Sequence, residues 1–80
     1  MARITIKADV ILNTTGLSCP LPALKAKKAL DILEAGKVLL VQTTDPGAKA
    51  DIPSLLKRLG HELLETGSSG GVMSFYIRKK

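Results

Sequence analysis

In 80 residues the chain carries one cysteine, one histidine, one phenylalanine, one tyrosine and no tryptophan. A single thiol excludes an intramolecular disulfide, a Cys-x-x-Cys redox pair and a multi-cysteine zinc site within one copy, and a reducing compartment suits it best. No cofactor and no metal are expected. The shortage of rings also weighs against reading of nucleic acid by base stacking, since only Phe75, expected in the core, and Tyr76 could provide a platform. The first residues, Met1-Ala2-Arg3-Ile4-Thr5-Ile6-Lys7, have no long apolar stretch of the kind found in leader sequences. No run anywhere approaches the ~20 apolar residues of a membrane helix. The expectation is a cytoplasmic protein that makes no membrane contact.

What the sequence does contain is 45% apolar residues, almost all aliphatic, so the interior must be built from Leu, Ile, Val and Ala. Residues 1–80 are expected to form a single small domain, and a monomer. Twelve Lys and Arg against seven Asp and Glu give a net charge of +5. A basic surface attracts nucleic acid, anionic substrates or the acidic face of another protein, and charge alone does not choose among them.

The cysteine sits in Gly16-Leu17-Ser18-Cys19-Pro20-Leu21-Pro22, directly before Ala23-Leu24-Lys25-Ala26-Lys27-Lys28-Ala29-Leu30. Gly16 permits a sharp turn, Ser18 or Cys19 is placed to cap, and Pro20 falls where a first helical turn tolerates proline. Cys19 is therefore expected at a helix N-terminus. There unpaired N–H groups and the positive end of the helix dipole favour an anion, and a thiol pKa falls from about 8.5 toward the ~3.5–7.5 range of activated cysteines. Pro20 and Pro22 donate no hydrogen bond and fix φ, so the remaining donors, Leu21 and Ala23 among them, are few and rigidly aimed. The competing reading is a buried, inert cysteine, a common fate of free thiols. Two prolines at a helix start favour the reactive one.

Taken in order, residues 3–13 alternate Ile4, Ile6, Val10 and Leu12, which places a first strand in part of that stretch. Asn13-Thr14-Thr15-Gly16 is turn chemistry. A helix is expected from Leu21 to about Ala35, ended by Gly36, with Pro22, Ala26, Ala29, Leu30 and Leu33 on the stripe that faces the sheet. Leu21, Leu24 and Lys28 fall on a different face, beside the cysteine; the choice there is between a docking surface and burial under the preceding loop. Lys37–Thr43 reads as a central strand. Thr44-Asp45-Pro46-Gly47 turns the chain with Asp45 as cap, and a second helix covers much of 47–59. There Asp51-Ile52-Pro53 implies either a fresh start capped at Asp51 or Pro53 in the first turn. His61–Thr66 suggests a third strand, Gly67–Gly71 a hairpin loop and Val72–Arg78 a fourth strand with Met73, Phe75 and Ile77 turned toward the helices. The expected fold class is α+β: a two-layer α/β sandwich, βαβαββ, with two helices on one face of a four-stranded mixed sheet. His61 is expected as a surface or capping residue, remote from Cys19.

Over nearly its whole length the chain resembles the TusA/SirA-type sulfur carrier family. The residues that carry the likeness are Gly16-Leu17, Cys19-Pro20-Leu21-Pro22, Asp45-Pro46, Asp51-Ile52-Pro53, Gly60-His61-Glu62 and Tyr76-Ile77-Arg78-Lys79. One departure is Asn13, where many members have Asp, which puts a charged role at that position in doubt. The resemblance implies a sulfurtransferase-type carrier, rather than a turnover enzyme, in which Cys19 accepts sulfane sulfur as a persulfide and relays it. The donor would be a cysteine desulfurase or a rhodanese, and the receiver a downstream acceptor protein, in tRNA thiolation, cofactor sulfur supply or cytoplasmic sulfur oxidation. Leu21, Leu24, Lys28 and Arg78 are the expected partner-binding residues, and Gly16, Pro20 and Pro22 the structural residues of the site.

A rival reading of another class is a small basic RNA- or protein-binding regulatory module with a non-reactive cysteine. The same sandwich also resembles the C-terminal domain of a bacterial translation initiation factor. Direct nucleic-acid binding is the less expected of the two, because rings are scarce and Cys19-Pro20-Leu21-Pro22 would be left without a purpose.

Overall fold

A computed structural model describes residues 8–18 and 21–80. The elements run β1 (Val10–Thr14), α1 (Leu21–Ile32), β2 (Val38–Thr43), α2 (Ala48–Leu59), β3 (Glu62–Ser69) and β4 (Val72–Arg78). The expected strand positions Ile4 and Ile6 lie outside the described residues, as do Cys19 and Pro20.

The sheet has the order β1-β2-β4-β3. β1 and β2 are parallel, with Leu12 beside Val41, and α1 is the crossover that parallel neighbours require. β4 runs antiparallel to both β2 and β3. Register explains the core. Leu12, Val41 and Phe75 form one row across the strands, and Leu39, Ile77 and Leu63 the next. This face meets Ala26 and Leu30 of α1 and Ala48, Ile52, Leu55 and Leu56 of α2, so both helices cover one side of a mixed sheet. Each fully buried Leu, Ile or Phe contributes about 1.5–3 kcal/mol relative to exposure. Met73, Phe75 and Ile77 face the helices as their alternation requires, and Pro22, Ala26 and Leu30 of the expected α1 stripe are buried on the side of α1 that meets the sheet.

Four local expectations are corrected. α1 stops at Ile32 rather than near Ala35. The Leu30 carbonyl is taken by the Leu33 N–H at 3.2 Å and by the Lys79 ammonium, while Gly36 and Lys37 pair with the backbone of Lys79. The chain is thereby drawn onto the end of β4 before a further helical turn can form. α2 runs unbroken through Pro53 from Ala48. Its start is an N-cap at Gly47 with no side-chain hydrogen bond, so neither Asp45 nor Asp51 caps it. The hairpin loop is shorter than expected, because Gly67, Ser68 and Ser69 belong to β3. Only Gly70 (φ 56°) and Gly71 (φ 84°) make the turn, the pair of positive φ values that a tight two-residue connection needs.

Candidate functional site

The sheet end where β1 and β2 finish is built from hydroxyl and amide groups. Thr14, fully buried, donates from Oγ1 to the Gln42 carbonyl at 2.6 Å and so ties the last residue of β1 to β2. Beyond it the chain turns back on itself: Leu17 N–H donates to the Thr14 carbonyl at 3.2 Å, and Gly16 takes φ +85°, a left-handed value that glycine adopts without strain. Gly16 N–H reaches across to Thr44 Oγ1 at 2.9 Å, linking the β1–α1 loop to the β2–α2 loop. Asn13 Oδ1 accepts from both the N–H and the hydroxyl of Thr15, at 2.9 and 2.6 Å. That is a local Asx turn, and the neutral amide oxygen performs it without charge. Sequence reasoning took Asn13–Gly16 only as turn chemistry; its signal for this network was the run of threonines in both loops, Thr14-Thr15 and Thr43-Thr44.

Out of this anchored loop the chain enters α1. Leu21 N–H donates to the Ser18 carbonyl at 2.9 Å. Cys19 and Pro20 lie outside the described residues. Pro22 is buried against the core and fixes the first turn of the helix. Leu21 and Leu24 are 43% and 50% exposed, and Ile32, two turns further along the same face, is 87% exposed. Lys28 lies between them, also exposed. The spacing 21, 24, 28, 32 holds one helical face, so apolar side chains and a cation form a stripe running away from the helix start. Leu24 also walls a cleft of about 500 Å³ between α1 and α2, floored by Leu55 and flanked by Lys27 and Arg58.

Asp45 stands in the second loop of the pair. Its N–H donates to Thr43 Oγ1 at 3.1 Å, and its carbonyl accepts from Ala48 N–H. Its Oδ2 is buried and has no hydrogen-bond partner, alone in this among the described side chains. A buried oxygen without a donor costs about 1–3 kcal/mol.

Gly16, Leu21, Pro22, Leu24 and Lys28 are thus brought together along the loop and the helix that follows it. Arg78 is not among them. It pairs in register with Val38 and Glu62 at the opposite end of the sheet, where its guanidinium bonds the Glu62 carboxylate. His61 is at that far end too: its N–H donates to the Leu56 carbonyl as α2 closes, and its Nδ1 accepts from Lys80 N–H at 3.2 Å. Burial, and then the nearby Lys79 ammonium, hold the imidazole pKa below its ordinary 6.5. Among the described residues no three His, Cys, Asp or Glu side chains gather as a metal site. Among them too, no helix is long and apolar enough to cross a membrane.

The fold is that of SirA-like proteins. The crystal structure of a SirA-like protein from Desulfitobacterium hafniense aligns with a TM-score of 0.70 and 29% identity, covering 86% of this chain and 95% of that one. Sequence relatives include the sulfur carrier protein TusA of Allochromatium vinosum, 45% identical over 71 residues, which span 89% of this chain and 93% of the relative. The protein of the same name from Pseudomonas putida is 43% identical over 72 residues, 90% of each chain. The family model for sulfurtransferase TusA matches residues 10–79, and the chain belongs to that family.

Proposed function

We propose that this chain is a cytoplasmic sulfur carrier whose Cys19 is loaded by a donor protein and unloaded by an acceptor. The observation that carries the reading is the family match over residues 10–79, which takes in Cys19-Pro20-Leu21-Pro22 at the entry to α1. Two features of the surroundings support it. The loop before the cysteine is held by backbone and threonine bonds that use no cation, and the helix after it begins with an exposed apolar pair.

Loading is thiol–persulfide exchange. The Cys19 thiolate attacks the outer sulfur of a donor persulfide; the donor S–S bond breaks, the donor thiolate leaves, and Cys19 keeps the transferred sulfur. Unloading is the same step in reverse order on an acceptor thiolate, so no external oxidant or reductant enters. Positive potential at the start of α1 lowers the cost of the anionic thiolate and of the anionic persulfide alike. A cysteine desulfurase or a rhodanese is a suitable donor, since each presents a protein persulfide. Leu21 and Leu24 form the contact that a partner covers, and Lys28 steers an acidic surface toward it. Arg78 would be reached only by a partner that extends along β4, roughly 20 Å from the loop at strand rise.

Mass spectrometry after incubation with a donor persulfide tests the reading. Wild type is expected to gain one sulfur, removable by a thiol reductant, and Cys19→Ser none. No gain on wild type, or equal gain on the variant, overturns it. Lys28→Glu should leave the thiol loadable by a small persulfide while slowing protein-to-protein transfer about tenfold at low salt, a gap that closes as salt is raised. The RNA-binding alternative finds no platform: Phe75 is buried and Tyr76 is half-buried within the sheet.

A further inference from the structure

We propose that the groove between α2 and β3 receives an extended, acidic peptide segment of a partner protein, added as a further strand on the free edge of β3. Among the described residues β3 pairs only with β4, so one of its sides offers unpaired backbone groups. Proteins blunt such edges with charge, proline or bulges. Here the irregularity is confined to Leu63–Glu65, and the second half, Thr66-Gly67-Ser68-Ser69, pairs regularly with β4 and carries no charge and no proline. Gly67 lies mid-strand, where a missing side chain admits the close approach of another backbone.

This half of β3 faces a wall. Lys49 and Pro53 of α2 stand opposite Thr66, Gly67 and Ser68 across a groove of about 440 Å³, floored by Met73 and Phe75. Thr66 and Ser68 pair in register with Phe75 and Met73, so all four share the face turned toward α2. Pro53 has no N–H to give the Lys49 carbonyl four residues earlier. The Lys49 ammonium makes no hydrogen bond or ion pair with any described residue. An edge strand, an apolar floor and an unengaged cation are the parts from which strand addition gains affinity and choice of side chain.

Charge selects the occupant. A second copy would set a chain of net charge +5 against another of +5, whereas an acidic segment answers both that net charge and Lys49, the charged residue lining the groove. The other sheet edge, β1, is the shorter one, five residues against the eight of β3.

The groove opens at the end of the sheet that holds the β1–α1 loop. Thr14, Thr43, Met73 and Ser68 form one row across the strands, three strand spacings or about 14 Å from β1 to β3. A tail seated there keeps its own protein within reach of that loop and raises the local concentration of any group it delivers.

The test uses the full chain, free of added sulfur, and a fluorescent hexapeptide of alternating valine and glutamate. Companion probes replace glutamate by serine or lysine, and two further versions are N-methylated on alternate amides, one in each phase. The acidic peptide is expected to saturate below about 1 mM, to shift the amide resonances of Thr66–Ser69, and to bind about tenfold more weakly to Lys49→Glu. One N-methylated phase should lose binding and the other keep it. No saturation, equal binding of the lysine peptide, shifts centred on Val10–Thr14, indifference to Lys49→Glu, or equal behaviour of the two N-methylated phases each overturns the proposal. Because no step involves Cys19, these outcomes are independent of whether the thiol carries sulfur.

Discussion

The two ends of the sheet are fastened by different chemistry. At one end Thr14, Gly16 and Thr44 join two loops through uncharged hydrogen bonds, part-buried at Thr14 and exposed at Gly16. At the other, Arg78 meets Glu62, Lys79 reaches the Leu30 carbonyl and Asp9 holds Val38, mostly in the open. Exposed charge pairs gain little, because water already solvates both partners. Buried neutral bonds gain little when made but cost heavily when one partner is removed. The end proposed to handle an anion is therefore the end that spends no cation on its own structure, and its mechanical order should depend little on salt.

The sharpest way to break this comparison is Thr14→Val, which keeps the volume and removes the hydroxyl. With the Gln42 carbonyl left without its donor inside the protein, stability should drop by about 1–3 kcal/mol. The loss should be the same at low and high salt. Hydrogen exchange at the Gly16 and Leu17 amides should quicken, since Leu17 bonds the carbonyl of the altered residue. Urea denaturation and exchange measured on the same samples check both. Glu62→Gln is the counterpart at the far end. Its cost should stay at or below about 1 kcal/mol and fade as salt approaches molar concentration. If the two substitutions cost the same, the distinction between the ends collapses.

The same contrast marks what could be read from the chain beforehand. Alternation in Val72–Arg78, the apolar stripe of α1 and the turn residues between elements gave the layers and the core, because these patterns are local. The end of α1 was not legible: it depends on Lys79, which is 49 residues away from Leu30. The hairpin was overestimated because Gly67-Ser68-Ser69 has loop composition, yet pairing with Val72–Ser74 makes it strand. Asp45 was expected to cap α2, but its N–H is held by Thr43 and the helix starts past it at Gly47. Around the candidate site, the turn at Gly16 and the shared helix face of Leu21, Leu24 and Lys28 were legible, because they belong to one continuous segment. Thr44 was not, because only the parallel pairing of β1 and β2 sets it against Gly16. Arg78 was placed with the site on charge and likeness, and sheet register puts it at the other end.

The smallest effect concerns His61, the imidazole at the charged end, whose pKa is lowered from its ordinary value. Its neutral form is favoured in the folded chain by burial and by Lys79, against the weaker pull of Asp31, and its Nδ1 accepts from Lys80 N–H. An imidazolium has no free lone pair for that bond. The folded pKa lies below the unfolded 6.5, so between the two values the unfolded chain binds more protons. The contribution is thus complete above pH 6.5 and declines as pH falls through the lowered folded value, rather than on the alkaline side. The imidazole is only partly buried, so the decline should be slight. It is best read as a difference: from pH 8 to pH 5 the urea midpoint of wild type should fall further than that of His61→Gln, which has nothing to protonate there. Parallel curves for the two proteins would mean that Lys80 and the ring are not engaged in solution. The far end would then rest on Arg78, Glu62, Lys79 and Asp9 alone.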